Sequence, residues 1–296
     1  MDRQPTVSLV LGSGAARGLA HIGVIEWLES HGYRIESIAG SSMGALVGGI
    51  YAAGELDSYK QWLLALEKMD VVRFLDLAFS SEGLFKGDRL IDALRDVVGD
   101  RNIEDLPISY TAVACDLDRQ REVWLTDGAL FDAIRASIAI PTVFTPHRYR
   151  GMKLLDGGML NPVPIAPTFK DLTDLTIAVD LNGRREADVV PHKKAIPAAV
   201  HASTSRRHAT VQRFLDNIQS SIAQWQPSDP GLFDLLSNSF ETMQNAISSI
   251  KLATYAPDVL IQIPRSACKA YEFDRAAELI ELGHVLAEEA IAGRGS

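Results

Sequence analysis

The sequence predicts an α/β fold built on a parallel sheet, and three observations carry that prediction. An apolar run, Thr6–Leu11, ends in GSGAARG (Gly12–Gly18) and is followed by a helical pattern. A second run, Ile35–Ala39, ends in GSSMG (Gly40–Gly44) and is followed by another. Strand, turn and helix repeated in this way place parallel strands together, with their turns side by side at one end. The third observation is size: 296 residues with 47% hydrophobic content suffice for one large α/β domain or two small ones.

The first helix runs over Leu19–His31, because Leu19, Ile22, Ile25 and Leu28 fall at helical spacing. The turn before it has two readings. As Gly12-x-Gly14-x-x-x-Gly18 it is similar to a dinucleotide-binding turn, which also needs an acidic residue closing the second strand to hold a ribose. Glu36 comes before Ile38 and Ala39, and the second strand closes in GSSMG instead. The other reading is a turn that aims backbone N–H groups at a carbonyl oxygen becoming an oxyanion.

Gly40–Gly44 fits Gly-x-Ser-x-Gly with Ser42 at its centre. A sharp strand-to-helix turn strains such a serine, and the flanking glycines let neighbouring backbone approach. The hydroxyl then stands clear at the C-terminal end of the strand. Ala45, Leu46, Val47 and Ile50 continue as a helix whose N-terminus offers unpaired N–H groups and partial positive charge. The plainer alternative is a helix start with Ser42 as its cap.

Helices follow over Ser58–Met69 and Gly87–Val98. Between them, Val71–Lys86 carries Phe74, Leu75, Leu77, Phe79, Leu84 and Phe85, which serve either as core or as an acyl pocket. Strands are expected over Ser109–Leu117 and Arg121–Leu125, then a helix over Gly128–Ile138 ended by Pro141. After a loop, Val143–His147, the strand Met152–Leu155 leads into DGG, Asp156–Gly158. An aspartate just past a strand can reach another strand end; the same residues also make an ordinary hairpin turn. Leu175–Leu181 is a further strand, placed centrally. QPSDPG (Gln226–Gly231) divides two helices. The second carries Leu232, Leu236, Met243, Ile247 and Ile250 on one face, as core or as a dimer seam. Val259–Ile263 is a strand and Phe273–Ile291 the last helix. No repeat or linker divides the chain, so a single domain over 1–296 is expected, with its motifs within about 6–181.

A net charge of −9 argues against a general nucleic-acid binder. The two cysteines, Cys115 and Cys268, show neither metal nor disulfide spacing, which fits a reduced, cytoplasmic protein. The acidic residues show no metal spacing either, and no cofactor is expected. No stretch reaches the roughly 18 consecutive apolar residues of a membrane span, and the N-terminus has no signal-peptide pattern. A membrane-embedded role is excluded and a peripheral one is not. Gly183–Thr210 gathers Arg184, Arg185, Lys193, Lys194, Arg206 and Arg207, with His192, His201 and His208 among them. Such an island is either a solvated face or a surface for an anionic membrane.

LVLGSGAARGLAHIGVI, GSSMGALVGGIYAAG, ASIAIPTVFTPH and LLDGGMLNPVPI, in that order, resemble the patatin-like phospholipase family in its bacterial branch. The resemblance is strong over Thr6–Leu181 and continues weakly through PDVLIQIP and FDRAAELIELG. It implies a three-layer α/β/α fold around a mostly parallel sheet, and hydrolysis of lipid acyl esters by a Ser–Asp dyad. On the matching positions it implies Ser42 as nucleophile, Asp156 as general base, and an oxyanion hole from the backbone around Gly14 and Ala15. Arg17 falls on the basic position, steadying the loop or meeting a substrate phosphate. Members of the family commonly carry glycine where this chain has Ser13 and Ala15. Backbone donation tolerates the methyl of Ala15 unless that residue needs positive φ.

A histidine base is the competing arrangement. His192, His201, His208 and His284 follow the aspartate, as an α/β-hydrolase order requires. The expected function is a serine esterase acting on phospholipid or lysophospholipid. The alternative is a weakly active or non-hydrolytic lipid-binding or regulatory protein on the same fold.

Overall fold

The computed structural model of the protein describes residues 3–65, 86–141, 143–183 and 230–293. In chain order the strands are β1 (Thr6–Leu11), β2 (Arg34–Ser41), β3 (Ser109–Asp116), β4 (Arg121–Leu125), β5 (His147–Tyr149), β6 (Met152–Asp156), β7 (Leu175–Gly183) and β8 (Val259–Pro264). The helices, numbered over the described residues, begin with α1 (Ala20–Ser30), α2 (Met43–Ala52), α3 (Leu56–Leu64) and α4 (Asp88–Val98). They continue with α5 (Leu130–Ser137), α6 (Pro230–Thr254) and α7 (Ala276–Ala292).

The strands form one mixed sheet. β3, β2, β1, β7 and β8 run parallel in that order, while β4 and β6 pair antiparallel with β3, and β5 with β6. Every residue of β1 is buried, as expected for an inner parallel strand covered on both faces. Val7, Leu9 and Leu11 point into the larger core with α1, α2 and α7. Val10 and Ala178 point the other way, onto Val163 and Ile165, with Leu252 of α6 and Tyr255 just beyond it beside them. The result is the three-layer α/β/α arrangement.

One detail of register positions the site. Val113 of β3 pairs with Ser41 on one edge and Trp124 on the other, whereas Ala114 pairs with Asp156 and Val123. Since β4 occupies one edge at both positions, β2 and β6 share the other edge in succession. β2 runs parallel to β3 up to this point and β6 runs antiparallel down to it. Two strands therefore end head to head, one at Ser41 and the other at Asp156.

Several expectations need correction. β7 lies one strand from the edge, not centrally, because β8 pairs outside it; strands buried on both faces read alike in sequence, so the pattern carries no order. The segment expected as a loop to His147 leads into β5, too short at three residues to show a period. A short helical turn, Phe273–Arg275, precedes α7. The apolar stripe of α6 is not core: Leu236, Met243 and Ile250 are exposed, and Gln244 and Ser248 are buried in their place. The residues of Ser58–Met69 beyond Ala65 lie outside the described residues, as do Val71–Phe85, the helix expected before QPSDPG, and the basic island from Arg184 with His192, His201 and His208. Among the described residues, no helix is long and apolar enough to cross a membrane, and no group of His, Cys, Asp and Glu could hold a metal ion. Cys115 and Cys268 are buried free thiols.

Candidate active site

Ser42 joins β2 to α2 with φ 54 and ψ −121, a strained backbone for a residue with a side chain. Three contacts hold it there. The Ser42 N–H donates to Ser137 Oγ at 2.9 Å, and that hydroxyl donates to the Val113 carbonyl at 2.6 Å. The Tyr110 hydroxyl donates to the Ala45 carbonyl at 2.7 Å, tying the first turn of α2 to β3. Gly44 lets that turn lie directly on the end of β1, since a Cβ there would fall 2.0 Å from the Leu11 carbonyl oxygen.

Asp156 is fully buried at the end of β6. Its Oδ2 accepts from Ser42 Oγ at 2.6 Å and its Oδ1 from the Gly158 N–H at 2.7 Å. DGG is thus no hairpin turn: Gly157–Met159 forms a short helical turn capped by the aspartate. Burial pushes the carboxyl up to about 7, while the hydrogen bonds from Ser42 and Gly158 pull in the other direction.

The glycine turn sits beside this pair because β1 and β2 are parallel neighbours. Most of its amides are committed. Gly12 N–H donates to the Val179 carbonyl at 3.0 Å, Ser13 N–H to Pro162 at 2.8 Å, Ala16 N–H to Ala270 at 3.1 Å and Arg17 N–H to Gly14 at 3.2 Å. The two between, those of Gly14 and Ala15, donate to no described group. Gly14 is extended at φ 173, but Ala15 has φ 48, in the left-handed region. The condition attached to its methyl group is therefore met, at a cost of about 1–2 kcal/mol relative to an unstrained residue. Part of that is recoverable. Ala15→Gly is expected to raise stability by about 0.5–1 kcal/mol, seen as a melting temperature higher by about 1–4 °C.

Arg17 is buried. Its Nε donates to the Leu181 carbonyl at 3.0 Å and its Nη2 pairs with Glu241 Oε1 at 3.1 Å. Both contacts tie the turn to the fold, one at the end of β7 and the other on α6. His21, not singled out in the sequence, donates from Nε2 to the Gly12 carbonyl at 2.9 Å. Its burial pushes the imidazole down to about 4, so it holds the turn as a neutral donor. A histidine inside the otherwise apolar LAHIGVI was the available signal. Ser137 gave none beyond its place in ASIAIP. Of the four histidines that follow the aspartate, His284 is described, and it bonds Glu26 of α1 at 2.9 Å.

The patatin-like phospholipase family model matches residues 9–169, a span containing the glycine turn, Ser42 and Asp156. An NTE family protein of Mycobacterium tuberculosis is 41% identical over 97% of this chain and 91% of its own length. Patatin-like phospholipase domain-containing protein 7 of Rattus norvegicus is 32% identical over 64% of this chain and 14% of its own. Among solved structures, VipD from Legionella pneumophila aligns with a TM-score of 0.39 and 13% identity, covering 95% of this chain and 67% of that one. By the family match and by identity extending nearly end to end with a relative, the chain belongs to the patatin-like phospholipase family.

Proposed function

We propose that the chain is a serine hydrolase of lipid acyl esters in which Ser42 is the nucleophile and Asp156 the general base. Membership of a phospholipase family implies a lipid acyl hydrolase. The observation that carries the mechanism is the 2.6 Å hydrogen bond from Ser42 Oγ to Asp156 Oδ2, between two buried groups.

A serine hydroxyl is a weak nucleophile until a neighbour takes its proton. An aspartate in water is a feeble base, but one pushed up to about 7 by burial holds a proton far more firmly and still ionises near neutrality. Ser42 Oγ attacks the ester carbonyl as its proton moves to Asp156 Oδ2. The oxygen that becomes negative is met by the amides of Gly14 and Ala15, with the N-terminus of α2 adding positive potential. Asp156 then returns the proton to the departing alcohol, leaving the acyl group on Ser42. Water enters and gives a proton to Asp156 as its oxygen bonds the acyl carbon; Asp156 then passes that proton to Ser42 Oγ as the acyl–serine bond breaks and the fatty acid leaves. The substrates are phospholipids or lysophospholipids, met by peripheral contact with a membrane; Arg17 serves the reaction through the turn it steadies.

Release of p-nitrophenol from a short-chain ester by the purified protein tests this reading. Steady turnover is expected. Binding of lipid without any turnover would favour the non-hydrolytic alternative.

A further inference from the structure

Helix α6 lies outside the span matched by the family model, yet it reaches both halves of the site with polar side chains. Gln244 is only 3% exposed, and its Nε2 donates to Ser13 Oγ at 2.9 Å. Three residues earlier, on the same helix face, Glu241 pairs with Arg17 at 3.1 Å. The helix therefore grips the glycine turn at two points. Ser13 is held at each of its polar atoms. Its N–H donates to Pro162, its carbonyl accepts from Asn182 Nδ2 at 3.4 Å, and its hydroxyl accepts from Gln244. It directly precedes Gly14, the first of the two amides that donate to no described group.

The same Gln244 amide rests against the aspartate turn. A Cβ on Gly158 would lie 2.2 Å from Gln244 Nε2, 2.5 Å from Ser13 Oγ and 2.9 Å from Asp156 Oδ1. No side chain fits among these groups, and the Gly158 N–H is the donor that holds Asp156 Oδ1. The amide of Gln244 is thus wedged between the turn presenting those N–H groups and the turn holding the carboxylate.

We propose that Gln244 is a positioning residue, which sets the spacing between the Gly14–Ala15 amides and Asp156. The inference rests on the dyad reading above. Gln244 donates to neither Ser42 nor Asp156, so it acts through Ser13 and Gly158. A misplacement of about 1 Å at such a site can cost about 10²-fold in rate. The change alters the geometry of the reacting groups, so the loss is expected on kcat and not on KM.

The test is steady-state hydrolysis of a short-chain p-nitrophenyl ester by Gln244→Met, Gln244→Ala, Ser13→Ala and the Ser13→Ala/Gln244→Ala double variant, with a melting curve for each. Gln244→Met preserves length and bulk, so it removes the donor with least risk to folding. Expected are kcat values lower by about 10–100-fold, with KM within about twofold of wild type. The double variant is expected to be no slower than Gln244→Ala alone, since both changes break one interaction. Wild-type kcat in Gln244→Met, a loss that falls on KM with kcat unchanged, or losses that multiply in the double variant would each overturn the proposal. If Ser42→Ala is inactive while Gln244→Met is fully active, the positioning role fails and the dyad stands. Full activity in Ser42→Ala removes both.

Discussion

Ser42→Ala is expected to reduce kcat for a short-chain ester by up to about 10⁶-fold, the size of loss that follows removal of a serine nucleophile elsewhere. The protein should remain folded. Alanine keeps the backbone contacts of Ser42, namely the N–H donation to Ser137 and the first turn of α2. The strain at φ 54 is the same for either side chain. What disappears is the oxygen that attacks, together with the hydrogen bond that lowers the proton affinity of Asp156. Binding of a non-hydrolysable lipid should survive, which separates a chemical defect from a folding one. Hydrolysis by Ser42→Ala at the wild-type rate would remove the residue from the mechanism.

Asp156→Asn is expected to abolish turnover and to stabilise the protein. An amide cannot take the Ser42 proton, so catalysis is lost. Its oxygen can still accept from Gly158, which keeps the turn. The stability effect follows from proton binding. Burial pushes Asp156 up to about 7 from an ordinary 3.8, so between those values the native state keeps a proton that the unfolded chain has released. Stability therefore falls as pH rises through that window and is level above it. Asparagine has no such proton. The variant should gain on wild type from about pH 4 to pH 7, reaching an advantage on the order of 4 kcal/mol at pH 8. Urea unfolding of both proteins at several pH values measures this. Wild-type kcat/KM should rise through about pH 7 over the same ionisation. A variant that hydrolyses esters at nearly the wild-type rate would move the base to one of the histidines.

The parts of the site that are legible in sequence are local. Thr6–Leu11 and Ile35–Ala39 announce their strands by unbroken apolar runs, and the glycines after them announce the turns, because the geometry of each is set within a few residues. Ser42 and Asp156 could be placed at strand ends for the same reason. Their meeting could not be read, since it depends on β6 following β2 along one edge of β3, a register that no local pattern encodes. Gln244 was hidden by a misleading signal. The apolar residues of α6 suggested a buried face, whereas the fold buries the face carrying Gln244 and Ser248. Contacts to Arg17 and Ser13 decided the orientation, and both partners lie more than two hundred residues away in the chain. Ala15 falls between these cases. The sequence shows where glycine would be expected, and only the backbone angle shows what its absence costs.

Peptide mass mapping after treatment with a fluorophosphonate tests the role of Ser42 most directly, because such reagents stay bound to an activated serine. One adduct is expected, on the peptide containing Ser42, forming faster as pH rises through about 7 and missing from Asp156→Asn. An adduct on a different residue, or none on a protein that turns over ester, would contradict a nucleophile at Ser42.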